Sequence, residues 1–152
     1  MTSDLKRILL VEDALNDIEL TLSALAENHL ANEVVVTRDG EEALDYLLHR
    51  GVWRMRAEGN PAVVLLDLKL PKVDGLEVLA QIKKDPNLRM MPVVMLTSSR
   101  EERDLVQSYE LGVNAYVVKP VDFHDFVNAL KKVGLFWAVI NQPPPGTGDM
   151  SA

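Results

Sequence analysis

VVLLDLKLPKVDG (residues 63–75) joins an apolar run to a carboxylate, Asp67, and then to a proline-containing turn. An uninterrupted apolar run is typical of a strand buried on both faces, as in a parallel sheet covered by helices. Asp74 at the end of the turn predicts a helix start, because a short polar side chain can cap the first backbone amides of a helix. The stretch therefore predicts a strand, a turn and a helix, and it raises the question of what retains a carboxylate at the edge of a core.

Five short apolar runs occur along the chain, and each is followed by a segment with helical periodicity. Strands that alternate with helices favour right-handed crossover connections, which place the strands parallel in one sheet. The predicted strands are RILLV (7–11), EVVVT (33–37), AVVLL (62–66), VVML (93–96) and AYVV (115–118).

Each intervening segment opens with a helix-capping signature, a short polar residue followed three positions later by an acid. The pairs are Asn16–Glu19, Asp39–Glu42, Asp74–Glu77, Ser99–Glu102 and Asp122–Asp125. Five such pairs, each after a strand, predict an α/β protein with a flavodoxin-like, doubly wound (βα)5 sandwich. The expected order of its parallel strands is 2-1-3-4-5.

The length of 152 residues is sufficient for one domain with a substantial core. We expect this domain to span residues 1–140. Residues 141–152, NQPPPGTGDMSA, are rich in proline and glycine and lack periodicity, so we expect an extended or disordered tail.

Composition and charge exclude several classes of function. The net charge of −7 and the pI of about 4.9 make the chain a poor candidate for binding a nucleic-acid backbone. The basic stretch HRGVWRMR (49–56) is better explained as a loop in which Trp53 folds over an edge. No apolar stretch approaches the length of a transmembrane helix, and there is no cysteine for a disulfide or a zinc-thiolate site. These features predict a cytoplasmic protein that binds neither nucleic acid nor membrane.

Polar residues stand at the carboxyl ends of four predicted strands. Glu12 and Asp13 follow strand 1, Asp67 follows strand 3, Thr97 follows strand 4 and Lys119 follows strand 5. In open α/β sheets ligands bind outside these ends, here in the crevice between strands 1 and 3. Three neighbouring carboxylates raise one another's pKa unless a cation compensates them. Oxygen ligands of this kind suit Mg²⁺, so the sequence predicts a magnesium site.

A phosphoryl group is the incoming ligand that this arrangement favours. Lys119 is best explained as a partner for an anion that arrives later, and the Thr97 hydroxyl could donate to the same anion. Asp67 lies in mid-crevice and is the expected acceptor, since aspartate can form acyl phosphates. The predicted metal ligands are Asp13 and Asp67 directly, Glu12 through water, and the backbone carbonyl of Lys69.

Other functions fit these strand ends less well. Each polar residue, taken singly, is more often just the start of a loop. A flavin site would need a Ser/Thr/Gly-rich phosphate loop after strand 1, whereas EDALND (12–17) would repel phosphate without a metal. A phosphatase with an aspartate nucleophile would usually carry a second acid where this chain has Lys69. A phosphorylation-switched module is favoured, with a scaffold that binds partners without phosphorylation as the alternative; neither is an enzyme that acts on other substrates.

The chain resembles the receiver domain of bacterial two-component response regulators over about residues 6–134. The residues that carry this resemblance are Glu12-Asp13, Asp67 with LPKVDG behind it, Thr97-Ser98, Tyr116 and Lys119-Pro120. The resemblance implies Mg²⁺-dependent transfer of a phosphoryl group from the phosphohistidine of a sensor kinase to Asp67. It also implies a cis Lys119–Pro120 bond, and a switch in which Thr97 turns toward the phosphoryl group while Tyr116 moves inward. This switch reshapes the face formed by the fourth helix, the fifth strand and the fifth helix.

The loop before strand 3, the DLKLPKVDG block and the ending LFWAVINQPPP look most like single-domain regulators paired with phytochrome-type histidine kinases. The run LFWAVI (135–140) is apolar all round, so it either seals the sheet edge or forms a partner surface. The resemblance favours a homodimer through the fifth helix and residues 135–144. The residues expected at this surface are Leu135, Phe136, Trp137, Val139 and Ile140.

Overall fold

The structure, a computed structural model, describes residues 7–26, 33–98, 107, 110–113 and 115–132. Its five strands are β1 (Ile8–Val11), β2 (Val34–Thr37), β3 (Val63–Asp67), β4 (Val93–Thr97) and β5 (Ala115–Val118). The α-helices with defined bounds are α1 (Leu15–Ala26), α2 (Gly40–Leu48), α3 (Gly75–Lys84) and α4 (Phe123–Lys132). Helix α4 corresponds to the fifth predicted helix.

The strands lie in the order β2-β1-β3-β4-β5, and all neighbouring pairs are parallel. This order confirms the predicted flavodoxin-like arrangement. Strands β3 and β4 extend one residue further than predicted, so Asp67 and Thr97 are the last residues of their strands. Because β2 and β3 lie on opposite sides of β1, the carboxyl ends of β1 and β3 flank the crevice at the switch point of the sheet.

Two apolar clusters cover the opposite faces of the sheet. Successive side chains of a strand point to opposite faces, so Leu9 and Val11 belong to one cluster and Ile8 and Leu10 to the other. Helices α2 and α3 pack on the first face, and α1 and α4 pack on the second. Because both faces are covered, the strands are apolar along nearly their whole length, as the sequence predicts.

Two of the predicted helix caps bond the amide three positions later, as their spacing predicts. The Asp39 carboxylate accepts a hydrogen bond from the backbone N–H of Glu42 at 2.7 Å, at the start of α2. The Asp74 carboxylate accepts one from the backbone N–H of Glu77 at 3.0 Å, at the start of α3. Each cap satisfies an amide that has no partner within the helix, which fixes where the helix begins.

Of the two other predicted caps on the described helices, the one at Asn16 is wrong and the one at Asp122 is present. Helix α1 begins at Leu15, so Asn16 lies inside its first turn rather than before it. At the start of α4, the predicted cap at Asp122 is present, since its carboxylate accepts from the backbone N–H of His124 at 3.0 Å and its backbone carbonyl accepts from that of Phe126 at 2.9 Å.

The connection between α2 and β3 (49–61) is held against the Tyr46 side chain. Trp53 meets the Tyr46 ring edge-on at 4.9 Å, and its indole N–H donates to the Glu42 carboxylate at 3.3 Å. Arg56 stacks 4.0 Å from the centre of the same ring and donates to the backbone carbonyl of Tyr46. The arginine thus serves packing within this loop.

The Ser99–Glu102 pair, the predicted surface 135–144 and the predicted tail 141–152 lie outside the described residues. No helix in the described ranges combines the length and the apolarity that crossing a membrane requires.

Candidate functional site

Two acids, Glu12 and Asp13, directly follow β1 and lie at the crevice. Glu12 is completely buried, and its backbone N–H donates to the Thr37 carbonyl at 3.0 Å, which continues the pairing of β1 with β2. One Glu12 carboxylate oxygen accepts from the backbone N–H of Ala14 at 3.1 Å. The Arg38 guanidinium donates to the backbone carbonyl of Asp13 at 2.8 Å. The turn after β1 is therefore fixed by hydrogen bonds at each of these positions.

The end of β3 places Asp67 opposite this pair. Asp67 is 5% exposed, and one of its oxygens lies 3.4 Å from the backbone N–H of Lys69. The Gly75 backbone N–H donates to the Leu68 carbonyl at 3.0 Å, so the start of α3 lies directly against the strand end. A Cβ atom at Gly75 would overlap the carbonyl oxygens of Asp67 and Leu68. This position requires glycine because the two backbones approach too closely for any side chain.

The ammonium group of Lys119 is bonded to three carboxylates. It lies 2.9 Å from Glu12, 2.9 Å from Asp17 and 3.2 Å from Asp67. The backbone N–H of Lys119 donates to the Thr97 carbonyl at 2.8 Å, which fixes the residue at the end of β5. The predicted role of this lysine is to bind an anion that arrives later, whereas in the structure it is bonded to three acids. Since an ammonium has three N–H donors, these bonds use all of them.

Burial and neighbouring charges shift the pKa of both partners. Burial raises the pKa of Asp67 to about 7, and the adjacent Glu12 acts in the same direction, while Lys119 partly opposes them. Burial alone would lower the pKa of Lys119. Hydrogen bonds to Glu12 and Asp17, together with the charges of Asp67 and Glu12, outweigh burial and raise its pKa above the ordinary value. The lysine therefore stays charged, while the aspartate lacks full compensation for its negative charge.

The acids at the strand ends fit a divalent cation. Glu12, Asp13 and Asp67 each offer a carboxylate oxygen, and these oxygens lie within 4.8 Å of one another. Two of the three residues are buried, and one ammonium does not balance their charges. Hard oxygen donors in this number suit a metal such as Mg²⁺, which keeps several waters and takes few protein ligands. The arrangement supports a divalent metal at the predicted position.

Thr97 and Tyr116 occupy different environments near the site. Thr97 is 3% exposed at the end of β4, next to the strand that precedes Lys119. Tyr116 is 38% exposed, and its side chain is on the solvent side of β5. The Lys69 side chain is also exposed. The roles predicted for these residues, including a metal bond from the Lys69 carbonyl, remain predictions.

Asp17 belongs to this cluster but is not among the predicted site residues. The predicted residues all stand at strand ends, whereas Asp17 lies in the first turn of α1. It is separated from Lys119 by 102 positions, and its side chain is 31% exposed. Its position in EDALND could have indicated a place in the site, because the first turn of the helix after β1 lies at the same edge of the sheet as the strand ends.

Comparison with known protein families gives one match that spans most of the chain. Residues 8–131 match the family model described as the response regulator receiver domain. The matched range includes the five strands, helices α1 to α3, all of α4 except Lys132, and every acid in the site.

Three relatives are similar over most of their length. The bacteriophytochrome response regulator AtBRR is 65% identical, with a TM-score of 0.83, and the match covers 90% of this chain and 98% of that one. Response regulator Rcp1 of Synechocystis sp. is 41% identical over 132 residues, which are 87% of this chain and 88% of Rcp1. Its Mn²⁺-bound crystal structure matches with a TM-score of 0.72, covering 88% of this chain and 94% of that one. The phosphorylated cyanobacterial phytochrome response regulator RcpA is 45% identical, with a TM-score of 0.73, covering 87% of this chain and 93% of that one.

Proposed function

This chain belongs to the response regulator receiver family, and on that premise we propose that it is a signalling module that accepts a phosphoryl group on Asp67 from a sensor histidine kinase. The observation that carries the proposal is the meeting of Asp67 with Glu12, Asp13 and Lys119 at the switch point of the sheet. A surface aspartate needs none of these neighbours, and a purely structural ion pair does not need two further acids bonded to the same lysine.

The transfer makes one bond and breaks one bond. A carboxylate oxygen of Asp67 attacks phosphorus, while the P–N bond to the kinase histidine breaks and the imidazole nitrogen keeps the electron pair. The Lys119 ammonium, 3.2 Å from Asp67, is placed to neutralise charge on the phosphoryl oxygens. Asp13 and Asp67 would hold Mg²⁺, with Glu12 acting through water and Lys69 through its backbone carbonyl. Bound Mg²⁺ would supply the remaining positive charge.

The output is proposed to be a change of surface rather than a chemical product. Thr97 is buried at the end of β4, next to β5, which leads to Lys119, so its hydroxyl could turn toward a phosphoryl group on Asp67. Tyr116 is exposed on β5 and would move inward as Thr97 turns. This movement would change the shape of the face formed by β5, α4 and the helix predicted between β4 and β5. The changed face would signal by contact with a partner protein.

The partner proposed is a phytochrome-type histidine kinase. The name of AtBRR and its 65% identity to this chain support this pairing. Phosphotransfer from an autophosphorylated bacteriophytochrome kinase should be faster than transfer from an unrelated histidine kinase at the same concentration. Equal rates from both kinases would contradict the pairing.

A homodimer through α4 and residues 135–144 is also proposed. Light scattering at micromolar concentration, with and without a phosphoryl mimic, tests it. A monomeric mass in both conditions would reject the dimer.

The phosphorylation proposal is tested with acetyl phosphate and Mg²⁺, followed by measurement of the intact mass. We expect one phosphate adduct, lost in Asp67→Asn and in excess EDTA, and retained in the matched variant Asp74→Asn, whose carboxylate caps α3. The phosphorylated RcpA and the Mn²⁺-bound Rcp1 support this expectation. Failure of the folded wild-type chain to form an adduct would favour a scaffold that binds partners without phosphorylation.

A further inference from the structure

Asp17 contacts the Lys119 ammonium from outside the group of strand-end residues. The two side chains form a 2.9 Å ion pair, as short as the one between Lys119 and Glu12. Asp17 is not one of the three acids whose oxygens cluster as candidate metal ligands. Its side chain is 31% exposed, whereas that of Glu12 is 1% exposed, so burial does not force Asp17 to find a cation.

The three hydrogen bonds of the Lys119 ammonium are not affected equally by phosphoryl transfer. Its ammonium has three donors, and Glu12, Asp17 and Asp67 accept all of them. Glu12 and Asp67 are the acids to which the proposed function assigns the metal and the phosphoryl group, so their oxygens are needed elsewhere during transfer. The Asp17 bond alone involves no oxygen that the reaction requires.

We propose that Asp17 is a positioning residue that keeps the Lys119 ammonium in the crevice while its bond to Asp67 is exchanged for one to a phosphoryl oxygen. The inference rests on the proposed phosphorylation of Asp67. A lysine ammonium is carried on a flexible four-carbon chain, so its position depends on its partners. Without Asp17, the ammonium retains only Glu12 and Asp67 as partners. It is then drawn toward Asp67, although the bond between Lys119 and Asp67 must break during transfer. Loss of this orientation slows transfer, because correct placement of a reacting charge contributes directly to rate.

The experiment measures the rate of adduct formation at fixed acetyl phosphate and Mg²⁺ concentrations by intact mass. Asp17→Ala removes both charge and acceptor, and we expect the rate to fall about tenfold. Asp17→Asn keeps an oxygen that can accept from Lys119, and we expect a rate within about threefold of wild type. The matched control is Glu19→Ala, which removes the same charge from an exposed position on α1 and should stay within about twofold.

The second readout observes the lysine directly. The ¹⁵N–¹H signal of the Lys119 ammonium, assigned by its disappearance in Lys119→Arg, should be visible in the wild-type chain and in Asp17→Asn. It should broaden in Asp17→Ala, because an ammonium that has lost a fixed partner exchanges its protons with water faster. A purely structural role for Asp17 would change the free energy of unfolding without changing this signal in the folded protein.

The outcomes separate this inference from the proposed function. The positioning role alone would be overturned if the rate of adduct formation in Asp17→Ala stayed within about twofold of wild type. It would also be overturned if the rate fell equally in Glu19→Ala or in Asp17→Asn. Absence of any adduct in the folded wild-type chain, or an adduct that survives Asp67→Asn, would instead overturn the proposed function. Asp17→Ser repeats the truncation with a residue common at helix starts, and it carries the test if Asp17→Ala does not fold.

Discussion

Replacement of Lys119 by methionine tests whether the acidic site depends on this one internal cation. The side chain is 10% exposed, and two of its partners, Glu12 and Asp67, have side chains that are 1% and 6% exposed. Methionine fills a similar volume without charge, so the substitution leaves two buried carboxylates without their cation. We expect Lys119→Met to destabilise the metal-free protein.

The magnitude follows from burial. Removal of one partner from a buried ion pair costs about 3–5 kcal/mol of unfolding free energy. The lower figure, about 3 kcal/mol, applies here because the Asp67 carboxylate, whose pKa is already raised to about 7, can take up a proton. Lys119 and a metal would compete for the carboxylates of Glu12 and Asp67. The variant should therefore bind Mg²⁺ at least about tenfold more tightly, which corresponds to about 1.4 kcal/mol.

Urea unfolding in EDTA and in a series of Mg²⁺ concentrations measures both effects. A Mg²⁺ concentration of about 100 times the dissociation constant should restore about 2.7 kcal/mol, nearly the whole loss. The control is Lys132→Met, the same substitution at an exposed position of α4, which should change stability by about 0.5 kcal/mol or less. Stability of Lys119→Met within about 1 kcal/mol of wild type in EDTA, or unchanged Mg²⁺ affinity, would refute the reasoning.

Two further predictions concern the end of β3. Gly75→Ala should lower the free energy of unfolding by about 1–3 kcal/mol and weaken Mg²⁺ binding, since its Cβ would overlap the Asp67 carbonyl; an unchanged urea midpoint would contradict this. The raised pKa of Asp67 means that folding favours its protonated form, so this contribution is complete below the ordinary value of 3.8 and is lost as the pH rises through about 7. In EDTA, Asp67→Asn should therefore gain about 1.4 kcal/mol relative to wild type between about pH 6 and pH 8.5, measured by urea unfolding, and a constant difference would reject the shift.

The predicted fold agrees with the structure because the sequence patterns that indicate strands and helices are local. Each strand is recognisable by its own apolar run, and parallel strands covered by helices admit few arrangements. The caps at Asp39 and Asp74 were also predictable, since a cap is a contact between residues three positions apart. Local spacing did not suffice at Asn16, because a cap there places the first helical residue at position 17, whereas the helix begins at Leu15.

The sequence by itself determined which elements form and which residues stand at the carboxyl ends of the strands. The convergence of Glu12, Asp13 and Asp67 could be predicted because parallel strands present those ends at one edge. Tertiary structure alone decided how the lysine is used. Lys119 and Asp17 are separated by 102 positions and meet at 2.9 Å because β5 and the first turn of α1 reach the same edge of the sheet. No periodicity or motif encodes such a contact, since it depends on side chains whose distance is set only when the whole sheet has assembled.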